Sequence, residues 1–225
     1  NGNSISILAQ IDRFEVDRTP ERFVSLLNDN TVTFNKQTWG GFQIKYSFEN
    51  YNNLFSPTLG MKFYSLFSWV TKMEQLNQHL PTLASGLHLT YKLVPNASVV
   101  FVTKLETKAL LTNNFEFYQG ATIGGDFSLR GFRAERFNGK QSFFQSSDVK
   151  FNIGTIKNPF VPIKYGCILG FDYGSVWFPS ESSTIWHNSL GGGVWFMNSK
   201  IFTSHISYFH SSDGGRLTFG VDFNF

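Results

Sequence analysis

The sequence has one cysteine, little charge and no long apolar run. Cys167 is the single cysteine among 225 residues. That excludes an intrachain disulfide framework and a cysteine-rich zinc site. Charged residues make up 16%, against about 25% in ordinary soluble domains. The net charge of +3 is too small to argue for a nucleic-acid partner. No stretch approaches the ~18 consecutive apolar residues of a transmembrane helix. The five histidines, His79, His88, His187, His205 and His210, fall in no HExxH or close Cys/His spacing, so no metal site is expected. GxSxG is missing, as is a glycine-rich phosphate loop with lysine. Neither a cofactor nor catalysis by this segment is expected. Asn1-Gly2-Asn3-Ser4 has neither the basic start nor the apolar core of a signal peptide. The expectation is that the chain is the later part of a longer polypeptide.

Aromatic residues are abundant: 17% of the chain, with 26 phenylalanines. Mean hydropathy is nevertheless slightly negative. Few charges, many aromatics and near-neutral hydropathy suit a sheet with one lipid face and one wet face. Ten strand-like segments are predicted near 4–16, 40–51, 60–73, 84–94, 97–111, 144–156, 162–178, 186–197, 200–211 and 216–225. Phe42, Ile44, Tyr46 and Phe48 alternate with Gln43, Lys45, Ser47 and Glu49, a period of two that marks strands. The same holds for Leu87, Leu89, Tyr91 and Leu93 against Gly86, His88, Thr90 and Lys92. Long connections (17–39, 74–83, 112–143, 179–185) largely alternate with short ones (52–59, 95–96, 157–161, 198–199), as in barrels with short periplasmic turns and long outer loops. Thr19-Pro20-Glu21-Arg22 predicts a short helix near 20–28, with an N-cap threonine and proline at the first helical position. Trp39, Trp69, Trp177, Trp186 and Trp195, with Tyr46 and Tyr208, are candidates for interfacial aromatic girdles.

The longest connection carries Gly124-Gly125-Asp126-Phe127-Ser128-Leu129-Arg130-Gly131-Phe132-Arg133. Some 40 residues on comes Gly170-Phe171-Asp172-Tyr173-Gly174, and the chain ends on alternating Leu217, Phe219, Val221, Phe223 and Phe225. Together with Ser56-Pro57-Thr58-Leu59-Gly60, three strands before the loop, these motifs resemble the C-terminal half of BamA/TamA-type outer-membrane barrels, the bacterial surface antigen superfamily. The resemblance covers nearly the whole chain, most specifically 40–60 and 115–225. The segment from Phe115 to Gly139, with Arg133, Glu135 and Arg136, looks closest to members whose barrel follows a phosphoesterase or patatin-like domain.

The resemblance implies an all-β, antiparallel transmembrane β-barrel in the bacterial outer membrane. Sixteen strands are usual there, so ten would be the last part of one barrel domain. It implies that the loop at about 112–143 folds into the lumen and that Arg130, flanked by Gly124, Gly125, Gly131 and Phe132, meets an acid on the inner wall. Asp172 matches the acid of the family, and Asp148 is a second candidate. The final strand resembles a targeting signal read by the outer-membrane assembly machinery. The implied function is assembly of outer-membrane proteins or polypeptide translocation. The implied partners are outer-membrane lipid and lipopolysaccharide, nascent outer-membrane or secreted protein, and missing N-terminal strands or a second chain. A barrel that anchors or exports an upstream hydrolase is one alternative, and a self-contained ten-stranded barrel is another.

Overall fold

The computed structural model describes residues 2–15, 36–54, 56–157, 162–178, 185–198 and 201–223. The strands are β1 (Gly2–Phe14), β2 (Gln37–Tyr51), β3 (Gly60–Lys72), β4 (His79–Lys92), β5 (Val99–Leu110), β6 (Ala121–Ile123), β7 (Phe137–Gly139), β8 (Gln141–Ile156), β9 (Ile163–Trp177), β10 (His187–Asn198), β11 (Phe202–Ser211) and β12 (Gly214–Phe223). Ten of them form one sheet in the order β1-β2-β3-β4-β5-β8-β9-β10-β11-β12. Every pairing in it is antiparallel. Only β6 and β7 stand apart, as a two-stranded ribbon. The ten long strands lie where the alternation predicts them. The helix predicted near 20–28 falls outside the described residues.

Three strands start three or more residues earlier than the sequence reading: β2 at Gln37 rather than near 40, and β4 and β8. β4 begins at His79 rather than near 84, although Pro81 lies within it. Proline gives no ladder hydrogen bond and is confined to strand starts and edges. Here Pro81 precedes the first rung between β4 and β5, Thr82 opposite Leu110, and its carbonyl accepts from the Leu111 amide at 2.9 Å. β8 likewise starts at Gln141, because the ribbon β6–β7 delivers the chain back to the sheet earlier than a plain loop would.

The registers divide the sheet into two faces. One face carries Ile7, Ile44, Phe67, Leu83, Leu169, Leu190, Ile206 and Leu217. Among the described strands this parity includes no aspartate, glutamate or lysine, and its one arginine, Arg13, is next to the end of β1. The opposite parity carries Lys45, Glu49, Lys62, Lys104, Glu106, Asp148, Lys150 and Asp172, and the 111–140 connection packs on it; we call this the inner face. Near one end of the inner face Trp39, Val70, Leu80, Leu110 and Ala121 form an apolar cluster.

This partition corrects the girdle assignment. Trp69, Trp186, Tyr46 and Tyr208 are exposed on the outer face, and Trp177 shares their parity. Trp39 and Trp195 are buried on the inner face, 3% and 8% exposed. Trp39 shares its parity with Gln43 and Lys45, and Trp195 lies opposite Gly166 and His205. Both are inward-packing residues.

Candidate functional site

The connection from β5 to β8 does not project outward; it lies along the inner face. Its base is stitched to the sheet by Leu110 N to Lys140 O and Lys140 N to Trp177 O, both 2.9 Å. A 3-10 turn at Phe117–Gln119 is held by reciprocal bonds between Glu116 and Gln119, a capping box. Tyr118 donates to Gln37 Oε1 at 3.2 Å and packs on Phe14 at 5.0 Å between ring centroids. Burial, with the charge of Glu116, pushes its phenol up to about 12. The ribbon β6–β7 then leads into the motif. Gly124 and Gly125 have φ of +122° and +89°, a region glycine enters without a Cβ penalty. The turn closes through Gly124 N to Ser128 Oγ at 2.7 Å and Gly125 N to Leu129 O at 3.1 Å. Leu129 and Phe132 are fully buried against Ile123 and Phe144. Leu129 and Phe132 are thus the loop's own core, and they fix the direction of Arg130 between them.

Arg130 is clamped to the wall. Its Nη2 lies 2.6 Å from Asp172 Oδ1 and its Nε 3.0 Å from Oδ2, the bidentate geometry a guanidinium offers a carboxylate. Its backbone N–H donates to Asp172 Oδ2 at 3.0 Å. Ser146 and Ser189 hydroxyls donate to the same carboxylate at 2.8 and 3.1 Å. Asp172 is 0% exposed and accepts all five bonds. Nη1 lies 2.8 Å from Asp148 Oδ1, a second ion pair on the same guanidinium. The guanidinium carbon lies over the Phe209 ring, 3.9 Å from its centroid, a cation–π contact. Burial alone would lower the arginine's pKa. Hydrogen bonding to Asp172 and the charges of Asp148 and Asp172 outweigh burial and hold it above the ordinary value. Two glycines make the room. A Cβ on Gly170 would sit 2.7 Å from Arg130 Nη2, and one on Gly131 would sit 2.7 Å from the Ser189 Cβ.

Of the sequence-predicted site residues, the structure brings Arg130, Gly131, Asp172 and Asp148 together, and both acids meet the one guanidinium. Gly124 and Gly125 shape the turn, and Phe132 packs beneath it. Leu217, Phe219 and Val221 are on the outer face of β12, well away. Phe223 closes β12, and Phe225 is outside the described residues. Arg133 and Glu135 are exposed. Arg136 is exposed too, but its Nε donates to Asp213 at 2.6 Å in the β11–β12 turn. Sequence reasoning missed Ser146, Ser189, Phe209 and two lysines. Lys104 donates to the Phe127 carbonyl at 2.9 Å and Lys108 to that of Gly120 at 3.1 Å. The available signal for Phe209 was an aromatic among the inward set His205, Ser207 and Ser211. Among the described residues no group of three or more His, Cys, Asp or Glu could hold a metal ion.

BamA from Haemophilus ducreyi, in a crystal structure lacking POTRA domains 1–3, superposes with a TM-score of 0.70. The match covers 98% of this chain and 50% of that one, at 16% identity. The fold is that of a BamA-type β-barrel. This chain spans half the length of that BamA structure, and at such low identity the likeness carries the fold alone. No protein-family model and no curated protein sequence matches the chain. The BamA-type fold gives the ten-stranded sheet its reading as a barrel wall, with the inner face as the lumen and the Arg130 loop inside it.

Proposed function

We propose that this BamA-type barrel wall sits in the outer membrane of a Gram-negative bacterium and serves the assembly of outer-membrane proteins or the passage of polypeptides across that membrane. The observation that carries the reading is the partition of charge between the faces. A face without aspartate, glutamate or lysine suits hydrocarbon, where a central lysine or arginine costs ~2–4 kcal/mol. Aromatics fit the same slab. Phe143, Tyr173, Trp177 and Trp186 cluster at one level, with ring centroids 5.6–6.2 Å apart. Phe151 and Tyr165 lie eight positions further along β8 and β9. Eight residues at ~3.4 Å make about 27 Å along a strand, or ~21 Å along the normal at a tilt near 40°.

The loop pinned by Arg130 plugs the lumen, and among the described residues β1 pairs with β2 alone and β12 with β11 alone, leaving an edge on each. We propose that six further strands, from the same polypeptide or from another chain, complete the wall between those edges. Edge pairing then also provides the template on which a client strand is added, reading backbone and alternate side chains. Lipid and lipopolysaccharide cover the outer face, and the assembly machinery inserts the chain through β12. No comparison ties the chain to a phosphoesterase or lipase. Cell fractionation and heat-modifiable gel mobility test the location. Insertion of a reporter barrel into proteoliposomes, with and without this protein, tests the role. Recovery in the soluble fraction, or no acceleration of the reporter, would overturn the reading.

A further inference from the structure

The connection between β5 and β8 reaches both ends of the sheet. Those two strands pair directly, so joining them needs no contact beyond them. Its first part, Phe115 to Ala121, nonetheless packs on Phe14, Trp39, Val70, Leu80 and Leu110, one residue from each of β1 to β5. Tyr118 is the outermost contact, with its ring on Phe14 and its hydroxyl on Gln37. The second part, Ile123 to Phe137, runs the other way. It packs on Phe144 of β8 and Val176 of β9 and is clamped to Asp172 of β9. Gly131 is pressed against Ser189 of β10 and Ser211 of β11, and its carbonyl accepts from the Ser211 hydroxyl at 2.8 Å. Arg136 then reaches Asp213, in the turn that leads into β12.

In the sheet order β1 and β12 lie nine strand spacings apart, about 43 Å along the wall at ~4.8 Å each. The path through the connection is much shorter. Tyr118 and Gly124 are separated by at most ~22 Å of backbone, and Gly124 lies against Arg136, because β6 folds back on β7 with Ile123 opposite Phe137. A tie about half as long as the wall it subtends forces the sheet to curve round it. Both feet of this tie stand at the end of the sheet that carries the long connections, the mouth of the wall. The other end is left to the strands alone. Edges already held in place lose less conformational freedom on pairing than edges that must first be ordered.

We propose that residues 115–137 are a strut that fixes the curvature of the wall at its mouth and holds β1 and β12 in place for the strands that join them. This rests on the reading of an incomplete membrane barrel above and adds a conformational device to it. The test uses the protein in lipid nanodiscs, in a Cys167→Ser background with paired spin labels. Labels at Ile11 and Leu217 report the mouth, and labels at Ile5 and Val221 report the other end; all four positions are exposed on the outer face. Dipolar spectroscopy should give a narrow distance distribution at the mouth. Tyr118→Ala lifts one foot and Arg130→Ala the other, and each should at least double that width. The double variant should be no wider than the singles, because a strut freed at either foot ties nothing. The Ile5–Val221 distribution should not change in any of the three. Tyr118→Phe keeps the ring on Phe14 and should keep the mouth narrow. Gly131→Ala, whose Cβ would meet those of Ser189 and Ser211 at 2.7 and 2.8 Å, wedges the second foot and should widen the mouth even where Arg130→Ala fails to fold. An unchanged mouth in the foot variants, additive widening in the double variant, or equal widening at both ends would overturn the proposal. Heat-modifiable mobility of each sample separates the two levels. Inserted protein with an unchanged mouth sinks only the strut, whereas failure to insert sinks the membrane reading and the strut with it.

Discussion

At the scale of single residues, Asp172 is the point on which the loop turns. Its carboxylate is wholly buried and accepts from one guanidinium, one amide and two hydroxyls. Removing one member of a buried pair costs ~3–5 kcal/mol, because the surviving charge is stranded. Arg130→Ala and Asp172→Ala should each cost about that much in chemical unfolding. The double variant should fall short of the sum by ~1–3 kcal/mol; additive effects would show the pair to be unimportant. Tyr118 gives a second residue-scale test. Its folded value near 12 stands above the ordinary phenol value of ~10. The neutral phenol is therefore favoured by folding. Its contribution is complete below pH ~10 and is lost as pH rises through about 12. In an ultraviolet titration, Tyr118→Phe should remove one tyrosine's worth of the late absorbance change. The pairing of Arg130 with Asp172 was legible because motif spacing and strand parity both pointed to it. Ser146 and Ser189 were not, since they reach Asp172 only through the registers of β8 and β10 against β9, which local sequence leaves open.

At the scale of elements, period-two alternation located all ten long strands, because large apolar side chains concentrate on one face and the acids and lysines lie on the other. The same rule missed β6 and β7. Three-residue strands are too short for a period, and they are stabilised by packing on β8 and β9 rather than by their own pattern. Trp39 and Trp195 misled for a related reason: an aromatic ring suits both a membrane boundary and an inward core, and only its parity with charged neighbours separates them. The face assignment makes a prediction on β2. Ile44→Lys, on the outer face, should cost ~2–4 kcal/mol in a lipid bilayer. Ser47→Lys, on the inner face, should stay within the ~0.5 kcal/mol of an ordinary surface change. Equal costs would mean that the outer face does not meet hydrocarbon.

At the scale of the whole molecule, β1 pairs with β2 alone and β12 with β11 alone among the described residues. Ile5, Ile7 and Ile11 on β1 are 72–75% exposed. A bare edge in hydrocarbon leaves polar groups unsatisfied at several kcal/mol each. Cysteines placed on β1 and β12, in a Cys167→Ser background, should therefore not cross-link within one copy of this chain. Efficient intramolecular cross-linking would establish a closed ten-stranded barrel and remove the need for further strands.

The clamp on Arg130 also sets an order of events. Every group that holds the guanidinium follows it in the chain: Asp148, Asp172 and Phe209, with Ser146 and Ser189 behind the carboxylate. Contacts so distant in sequence form late, because the intervening chain must first be ordered. The loop therefore waits, unlatched, while β8 to β11 assemble, and is locked by strands made after it. A chain halted before β10 would lack both Ser189 and Phe209 and would keep its lumen unplugged. Docking of the loop is thus a built-in report that the C-terminal hairpins have reached their places.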